Sequence, residues 1–77
     1  MYRTIHHFAY PNGPHSFLEV VTYSKAETAN AARAEDKREI SLRAEVRGLV
    51  YVDGWTDSVP GVSTVLAPIF RRRAVTP

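Results

Sequence analysis

Directly after Met1 the chain reads YRTIHHFAY (Tyr2–Tyr10), then PNGP (Pro11–Pro14), then HSFLEVVTYS (His15–Ser24). Both longer runs are rich in β-branched and aromatic residues, which favour strands. An Asn-Gly dipeptide between two such runs is a strong signal for a tight antiparallel connection. The sequence therefore predicts an N-terminal β-hairpin whose loop is Pro11–Pro14.

The length of this loop sets the predicted hairpin register. With Tyr10 opposite His15, the pairs on one face are Phe8–Phe17, His6–Glu19, Thr4–Val21 and Tyr2–Tyr23. Because side chains alternate along a strand, one face then carries five aromatic residues, which are Tyr2, Phe8, Tyr10, Phe17 and Tyr23. The opposite face carries the aliphatic residues Ile5, Ala9, Leu18 and Val20.

A helix is predicted to follow the hairpin. Ser24-Lys25-Ala26-Glu27 has the capping-box pattern, and the alanines that come next have high helix propensity. The end of the helix is ambiguous, because residues 40–47 alternate with the period of a strand, whereas Gly48 suits the residue after a helix. We favour one long helix ending near Arg47. The alternative is a shorter helix ending near Arg38 and followed by an extra strand.

The second half of the chain predicts strands and turns. Leu49–Val52 is a β-rich run that could reach Trp55, and its apolar character predicts a central or well-covered strand. Ser58–Gly61 is a turn. Val62–Phe70 is an edge strand or an apolar strap, limited by Pro68.

These elements predict an α+β, two-layer β-β-α-β fold with an N-terminal antiparallel hairpin, one long helix and a possible C-terminal edge strand. Residues 1–73 are expected to form a single small domain. Residues 74–77 are expected to be a mobile tail.

The composition restricts the possible functions. The chain of 77 residues has no cysteine, which excludes thiol nucleophiles and cysteine-based metal sites. It also lacks a Gly-x-Ser-x-Gly elbow and a glycine-rich phosphate loop. We therefore expect no enzymatic activity, no cofactor and no bound metal. Neither a signal peptide nor a membrane-spanning run is predicted, so we expect a soluble cytoplasmic protein.

The histidines give only a minor candidate for chemistry. His6 and His7 are neighbours on a strand, so their side chains point to opposite faces and cannot share one metal ion. His6 is predicted to lie opposite Glu19 as a surface ion pair. An acid–base role for this pair in a small oligomeric enzyme is a distant third hypothesis.

The predicted aromatic face is the main candidate for function. One helix can cover only one face of the hairpin, and an alanine-rich helix suits the aliphatic face. The aromatic face and Trp55 would then be free to bind a protein partner or a second copy, since aromatic residues are enriched at interface centres. We expect a non-enzymatic protein-interaction module that forms a homo-oligomer. The alternative is that the aromatic face is the core, completed by Trp55 and Val62–Phe70.

The C-terminal arginine cluster gives the alternative function. Arg71, Arg72 and Arg73 are consecutive, and arginine is well suited to phosphate contacts. No helix-turn-helix or RNA-recognition signature accompanies them. The alternative is therefore a weak nucleic-acid-binding protein that uses these three arginines.

The residue usage carries one resemblance. Eight of the ten basic residues are arginine and nine residues are alanine, as in proteins from GC-rich genomes. In size and composition the chain resembles the small orphan proteins of phages that infect high-GC actinobacteria. The resemblance implies a host protein as the partner, and an inhibiting or redirecting effect on that host protein.

Overall fold

A computed structural model describes residues 1–75 of the chain. In order, it contains β1 (Tyr2–Tyr10), β2 (Gly13–Ser24), α1 (Ala29–Ile40), a short 3-10 helix (Ala44–Val46), β3 (Val50–Ser58) and β4 (Ile69–Ala74). The strands form one antiparallel sheet in the order β3-β1-β2-β4, and α1 packs on one of its faces. The predicted α+β fold with an N-terminal hairpin is confirmed, and the C-terminal edge strand is present.

The hairpin register differs by one residue from the prediction. The chain reverses between Tyr10 and Gly13, and a bulge in β2 then places Ala9 opposite Phe17. The prediction was wrong because it treated Pro11–Pro14 as the whole loop. Proline has no N–H to donate to the ladder, so pairing is interrupted after Gly13, and β2 gains extra residues before regular pairing begins.

A one-residue change of register redistributes the aromatic side chains. Phe8 and Tyr10 lie on the face that α1 covers, together with the half-buried Tyr2. Phe17 and Tyr23 lie on the opposite face, because they now pair with Ala9 and Arg3. The predicted face of five aromatic residues is therefore wrong: a slip by one position moves a whole strand's side chains to the other side.

The helix begins later than the sequence predicts. Ser24 is the last residue of β2, where it pairs with Tyr2, and its hydroxyl accepts a hydrogen bond from the Ala26 N–H. The residue that caps α1 is Thr28, whose hydroxyl accepts from the Ala31 N–H at 3.1 Å. The capping-box prediction fails because pairing with β1 keeps Ser24 in the strand.

The helix also ends earlier than predicted. It stops at Ile40, and the chain then turns through the 3-10 helix, so residues 41–47 continue neither the helix nor a strand. The favoured helix to Arg47 is therefore wrong. The alternative of a shorter helix ending near Arg38 agrees with the observed end, but the extra strand that it places after the helix is not formed. Ile40 and Val46 are both buried in the same core, whereas the side chain of Leu42 between them is 82% exposed. Six residues along a helix would place Ile40 and Val46 on different sides, so a turn is needed to bury both.

The core lies between α1 and the covered face of the sheet. Phe8, Leu18 and Val20 of the hairpin pack with Ile40 and Val46. Each such side chain contributes about 1.5–3 kcal/mol when fully buried. The partly buried side chains around this cluster are Tyr10, Leu49, Tyr51 and Phe70.

β3 and β4 are the two edges of the sheet. The central position predicted for β3 is wrong, since β3 pairs only with β1 and its Val50 and Val52 are exposed. Its apolar run therefore reflects strand propensity rather than cover on both sides. β4 pairs with β2 as an edge strand, but it spans Ile69–Ala74 rather than the predicted Val62–Phe70. Residues 62–68 form no strand, and pairing begins only after Pro68, which has no N–H to donate to the ladder.

The end of β4 overlaps the predicted tail. Ala74 is the last residue of β4, and the Val75 N–H donates to the His15 carbonyl at 2.8 Å. The first two residues of that tail are thus bound to β2, while residues 76–77 lie outside the described residues. Of the helices within residues 1–75, none is long and apolar enough to cross a membrane.

Candidate protein-interaction surface

One face of the sheet carries no helix within residues 1–75. Both helical segments contact the face of Phe8 and Val20, and the alternating residues of each strand point the other way. We call this second surface the open face. Its side chains are Asp53, Trp55 and Asp57 of β3; Arg3, Ile5, His7 and Ala9 of β1; Phe17, Glu19, Val21 and Tyr23 of β2; and Ile69, Arg71 and Arg73 of β4.

An apolar row crosses the open face from edge to edge. Ile5 pairs with Trp55 on one side and with Val21 on the other, and Val21 pairs with Ile69. Directly paired residues share a face and lie close together. At the two ends of the row, Trp55 is 45% and Ile69 is 41% exposed. The row therefore presents apolar surface to the solvent across all four strands.

The neighbouring row changes charge from one edge to the other. His7 pairs with Asp53 of β3 and Glu19 of β2, and Glu19 pairs with Arg71 of β4. His7 Nδ1 lies 3.2 Å from Asp53 Oδ1, and Arg73 Nη2 lies 3.4 Å from Glu19 Oε1. The β3 edge of the open face thus ends in an acid and the β4 edge in arginines.

A second carboxylate strengthens the acidic character of the β3 edge. Asp57 accepts two hydrogen bonds from the Arg3 guanidinium, one of them from Nε at 3.1 Å. These hydrogen bonds and the arginine charge hold the pKa of Asp57 below its usual range. Exposed ion pairs of this kind contribute little to stability. Their effect here is to fix the position of a charge at the edge of the open face.

An aromatic cluster is centred on His7. The His7 ring centroid lies 4.7 Å from that of Phe17 and 4.9 Å from that of Trp55, with the Trp55 ring nearly perpendicular at 89°. Edge-to-face geometry is a favoured arrangement of aromatic rings. The cluster holds Phe17 and Trp55 in place beside the apolar row. His7 was not predicted for this surface, although its alternation with Ile5 and Ala9 places it there.

Only half of the predicted interaction residues lie on the open face. Phe17 and Trp55 belong to the His7 cluster, and Tyr23 lies at the far end of β2. Phe8 is buried in the core, and the Tyr10 ring is covered by the Arg72 guanidinium, 4.4 Å from its centroid. These two residues therefore cannot form part of the open face, and neither can Tyr2, which lies on their side of the sheet.

The arginine triplet does not form one patch. Arg71 and Arg73 point to the open face, whereas Arg72 points to the other side. There its guanidinium stacks on Tyr10 and donates to Ser16 Oγ at 3.1 Å. The alternation of side chains along β4 thus divides the three charges between two surfaces.

A chain of polar side chains crosses the covered side of the sheet. His6 is fully buried, with Nδ1 3.2 Å from the Tyr51 hydroxyl and Nε2 3.4 Å from Thr22 Oγ1. Thr22 donates its only hydroxyl proton to Asp36 Oδ2 at 2.9 Å. It can therefore only accept from His6 Nε2–H, which leaves Nδ1 to accept from Tyr51. The predicted His6–Glu19 pair is wrong, since these residues lie on opposite faces.

Burial sets the charge states of these polar side chains. Burial, together with the nearby Lys37 charge, lowers the pKa of His6 to about 4. Burial also raises the pKa of Asp36 and of Tyr51. Gly54 makes the arrangement possible, because a Cβ at this position would collide with the Tyr51 hydroxyl. His6 is neutral near pH 7, and its hydrogen bonds hold β1 to β2 and β3.

A groove of 420 Å³ lies beside these polar side chains, between α1 and β3. It is lined by Asn30, Arg33, Lys37, Tyr51 and Asp53, among others. Lys37 Nζ lies over the Tyr51 ring, 4.4 Å from its centroid. Within residues 1–75, no group of three His, Asp or Glu side chains is arranged to hold a metal ion.

Comparison with known proteins adds no further guide to function. No family model matches the chain, and no curated protein or solved structure is significantly similar to it. The open face is therefore interpreted from its own geometry and charge.

Proposed function

We propose that this protein is a non-enzymatic interaction module that binds another protein through the open face. The observation that carries the proposal is the apolar row of Trp55, Ile5, Val21 and Ile69, which crosses the face of the sheet that no helix covers within residues 1–75. Antiparallel sheets with one solvated face normally place polar residues on it. A contiguous apolar surface bordered by charges is instead typical of a binding site.

The arrangement around the row supports the proposal. The His7 cluster provides two fixed aromatic side chains, Phe17 and Trp55, and aromatic residues are enriched among those that dominate binding energy. Charged side chains at both edges would form the polar rim that protein interfaces share. The residues lie on paired strands rather than on loops, so little ordering is needed on binding.

The proposal also includes a host protein as the partner, and an inhibiting or redirecting effect on that host protein. Both rest on the compositional resemblance to phage proteins. Nucleic-acid binding is the less well supported alternative. Arg71 and Arg73 share the open face with Glu19, Asp53 and Asp57, and these carboxylates weaken the attraction to phosphate. Replacing both arginines with glutamine should abolish salt-sensitive binding to single-stranded DNA if the alternative holds.

A photo-cross-linker tests the main proposal. Benzoylphenylalanine would replace Trp55 on the open face and, as a matched control, Leu42, which is 82% exposed beyond α1 on the other side of the sheet. We expect protein adducts in living cells from position 55 and none from position 42. Equal labelling from both positions, or none from position 55, would contradict binding through the open face.

A further inference from the structure

The charge order on the open face indicates what kind of surface fits it. From β3 to β4, one row reads Asp53, His7, Glu19 and Arg71. A partner that presents the reverse order would place an opposite or complementary group against each position, as complementary interfaces do. The open face of a second copy presents that reverse order when it is turned over.

We propose that the open face binds a second copy of this chain, with a two-fold axis parallel to the strands. This inference rests on the proposed function. Two sheets stack face to face about 10 Å apart with their strands nearly aligned. Rotation about such an axis places β3 of one copy over β4 of the other, and β1 over β2. Every row stays at its own height along the strands, so the rows face each other without sliding.

The contacts that result are complementary in charge. Asp53 faces the partner's Arg71, and His7 faces the partner's Glu19, with each contact made twice by symmetry. Within residues 1–75, Arg71 forms no ion pair, and the Asp53 side chain is 60% exposed although it contacts His7. Both charges are therefore accessible to a second copy.

The apolar contacts follow from the same rotation. Trp55 lies over the partner's Ile69, and Ile5 lies over the partner's Val21, so the apolar row covers itself. A two-fold axis perpendicular to the strands would instead stack β3 on β3. That arrangement brings carboxylates of β3 (Asp53 and Asp57) towards carboxylates of the partner's β3, and arginines of β4 towards the partner's β4 arginines, which is repulsive. The charge order therefore selects the axis parallel to the strands.

The size of the open face sets the expected strength. Four strands at a spacing of about 4.8 Å, and four rows of side chains, give roughly 500 Å² per copy. This area is at the low end for specific interfaces. We therefore expect a weak, reversible dimer whose population rises with protein concentration.

A charge-swap experiment tests the second-copy proposal. Asp53→Arg and Arg71→Asp each place like charges at both symmetric contacts, so each variant alone should dimerise at least about tenfold more weakly than the parent chain. In an equimolar mixture of the two variants both ion pairs are restored, and native mass spectrometry should detect the heterodimer. Single variants that dimerise like the parent chain would overturn the proposal.

A cross-linking experiment tests the direction of the axis. The chain has no cysteine, so introduced thiols are unique. With the axis parallel to the strands, Asp53→Cys and Arg71→Cys chains should be joined by a short bismaleimide when mixed. Neither variant should be joined to itself. Efficient self-linking of Asp53→Cys would instead indicate the perpendicular axis and overturn the proposed geometry.

The two proposals fail in distinguishable ways. If sedimentation finds only monomer at every concentration while benzoylphenylalanine at position 55 captures a different protein, the second-copy inference is overturned and the proposed function stands. An adduct with twice the mass of the chain supports both proposals. Monomer at every concentration together with no adduct overturns both.

Discussion

The Tyr51 hydroxyl lies 3.2 Å from Nδ1 of His6, and this hydrogen bond joins edge strand β3 to the buried polar chain. The two side chains meet over Gly54, which pairs with His6 and has no Cβ to obstruct them. His6 in turn reaches Thr22 on β2 and, through it, Asp36 on α1. His6 thus connects three strands and the helix, so its replacement should destabilise the contacts of β2, β3 and α1 as well as those of β1.

The first prediction concerns pH. The pKa of His6 is lowered to about 4 in the folded protein and lies near 6.5 in an unfolded chain. Between these values the unfolded chain binds more protons, so the free energy of unfolding should fall as the pH drops from about 6.5 to about 4. The expected loss is up to about 3 kcal/mol. Urea denaturation across this pH range measures the loss.

Two variants separate the contributions to this pH dependence. His6→Asn should flatten the slope, and a variant that keeps the full slope would contradict the assignment. The raised pKa of Asp36 acts in the opposite direction, because the folded protein holds that proton more tightly and gains stability as the pH falls through the raised pKa. Asp36→Asn should therefore make the acid destabilisation steeper.

The second prediction concerns the fit of Tyr51 against Gly54. Tyr51→Phe removes the donor to His6 Nδ1 and leaves a buried acceptor unpaired, which should cost about 1–3 kcal/mol of unfolding free energy. Gly54→Ala should also destabilise, since its Cβ would collide with the Tyr51 hydroxyl. The double variant has no hydroxyl at position 51, so that collision is absent. Its loss of unfolding free energy should therefore be smaller than the sum of the losses of the two single variants. Strict additivity in the cycle would contradict the described contact.

The third prediction concerns the turn after α1. Val46→Ala removes buried atoms from the core and should lower the free energy of unfolding by about 2 kcal/mol. Leu42→Ala, four residues earlier, should change it by less than about 0.5 kcal/mol, because Leu42 is exposed. A helix continuing to Arg47 would place these two side chains on the same face, so comparable losses would favour the longer helix.

The fourth prediction concerns the start of α1. Thr28→Ala removes the side chain that accepts from the Ala31 N–H and should cost about 1 kcal/mol. Glu27→Ala is the matched control, because Glu27 is exposed and takes part in no capping hydrogen bond among the described residues. Chemical denaturation of both variants tests the cap. A larger loss of unfolding free energy from Glu27→Ala than from Thr28→Ala would contradict the Thr28 cap and favour the capping box that the sequence predicts.

The sequence was sufficient to predict the types and order of the elements. Asn12-Gly13 located the hairpin and the alanine-rich segment located α1, whereas the C-terminal strand was expected over Val62–Phe70 and begins only at Ile69. These features act within a few residues of chain, so local propensity determines them.

The open face was less predictable because it depends on pairing rather than on local preference. Of the residues predicted for interaction, Phe17, Tyr23 and Trp55 lie on the open face, whereas Tyr2, Phe8 and Tyr10 lie on the covered side. The bulge after Gly13 changes which residues share a face, and Pro14 indicates that pairing is interrupted there but not how many residues the interruption contains. The charge order across the sheet became visible only when all three strand pairings were known.

The bulge also limits which insertions and deletions this protein can tolerate in evolution. Surface turns usually tolerate gains and losses of residues. Here one residue more or fewer between Gly13 and Phe17 would either be absorbed by the bulge or exchange the two sides of β2. An exchange would turn Leu18 and Val20 outwards to the solvent. Relatives of this chain should therefore vary in the identity of residues 14–16, and the number of these residues should change only where the bulge absorbs the difference and keeps Leu18 and Val20 in the core.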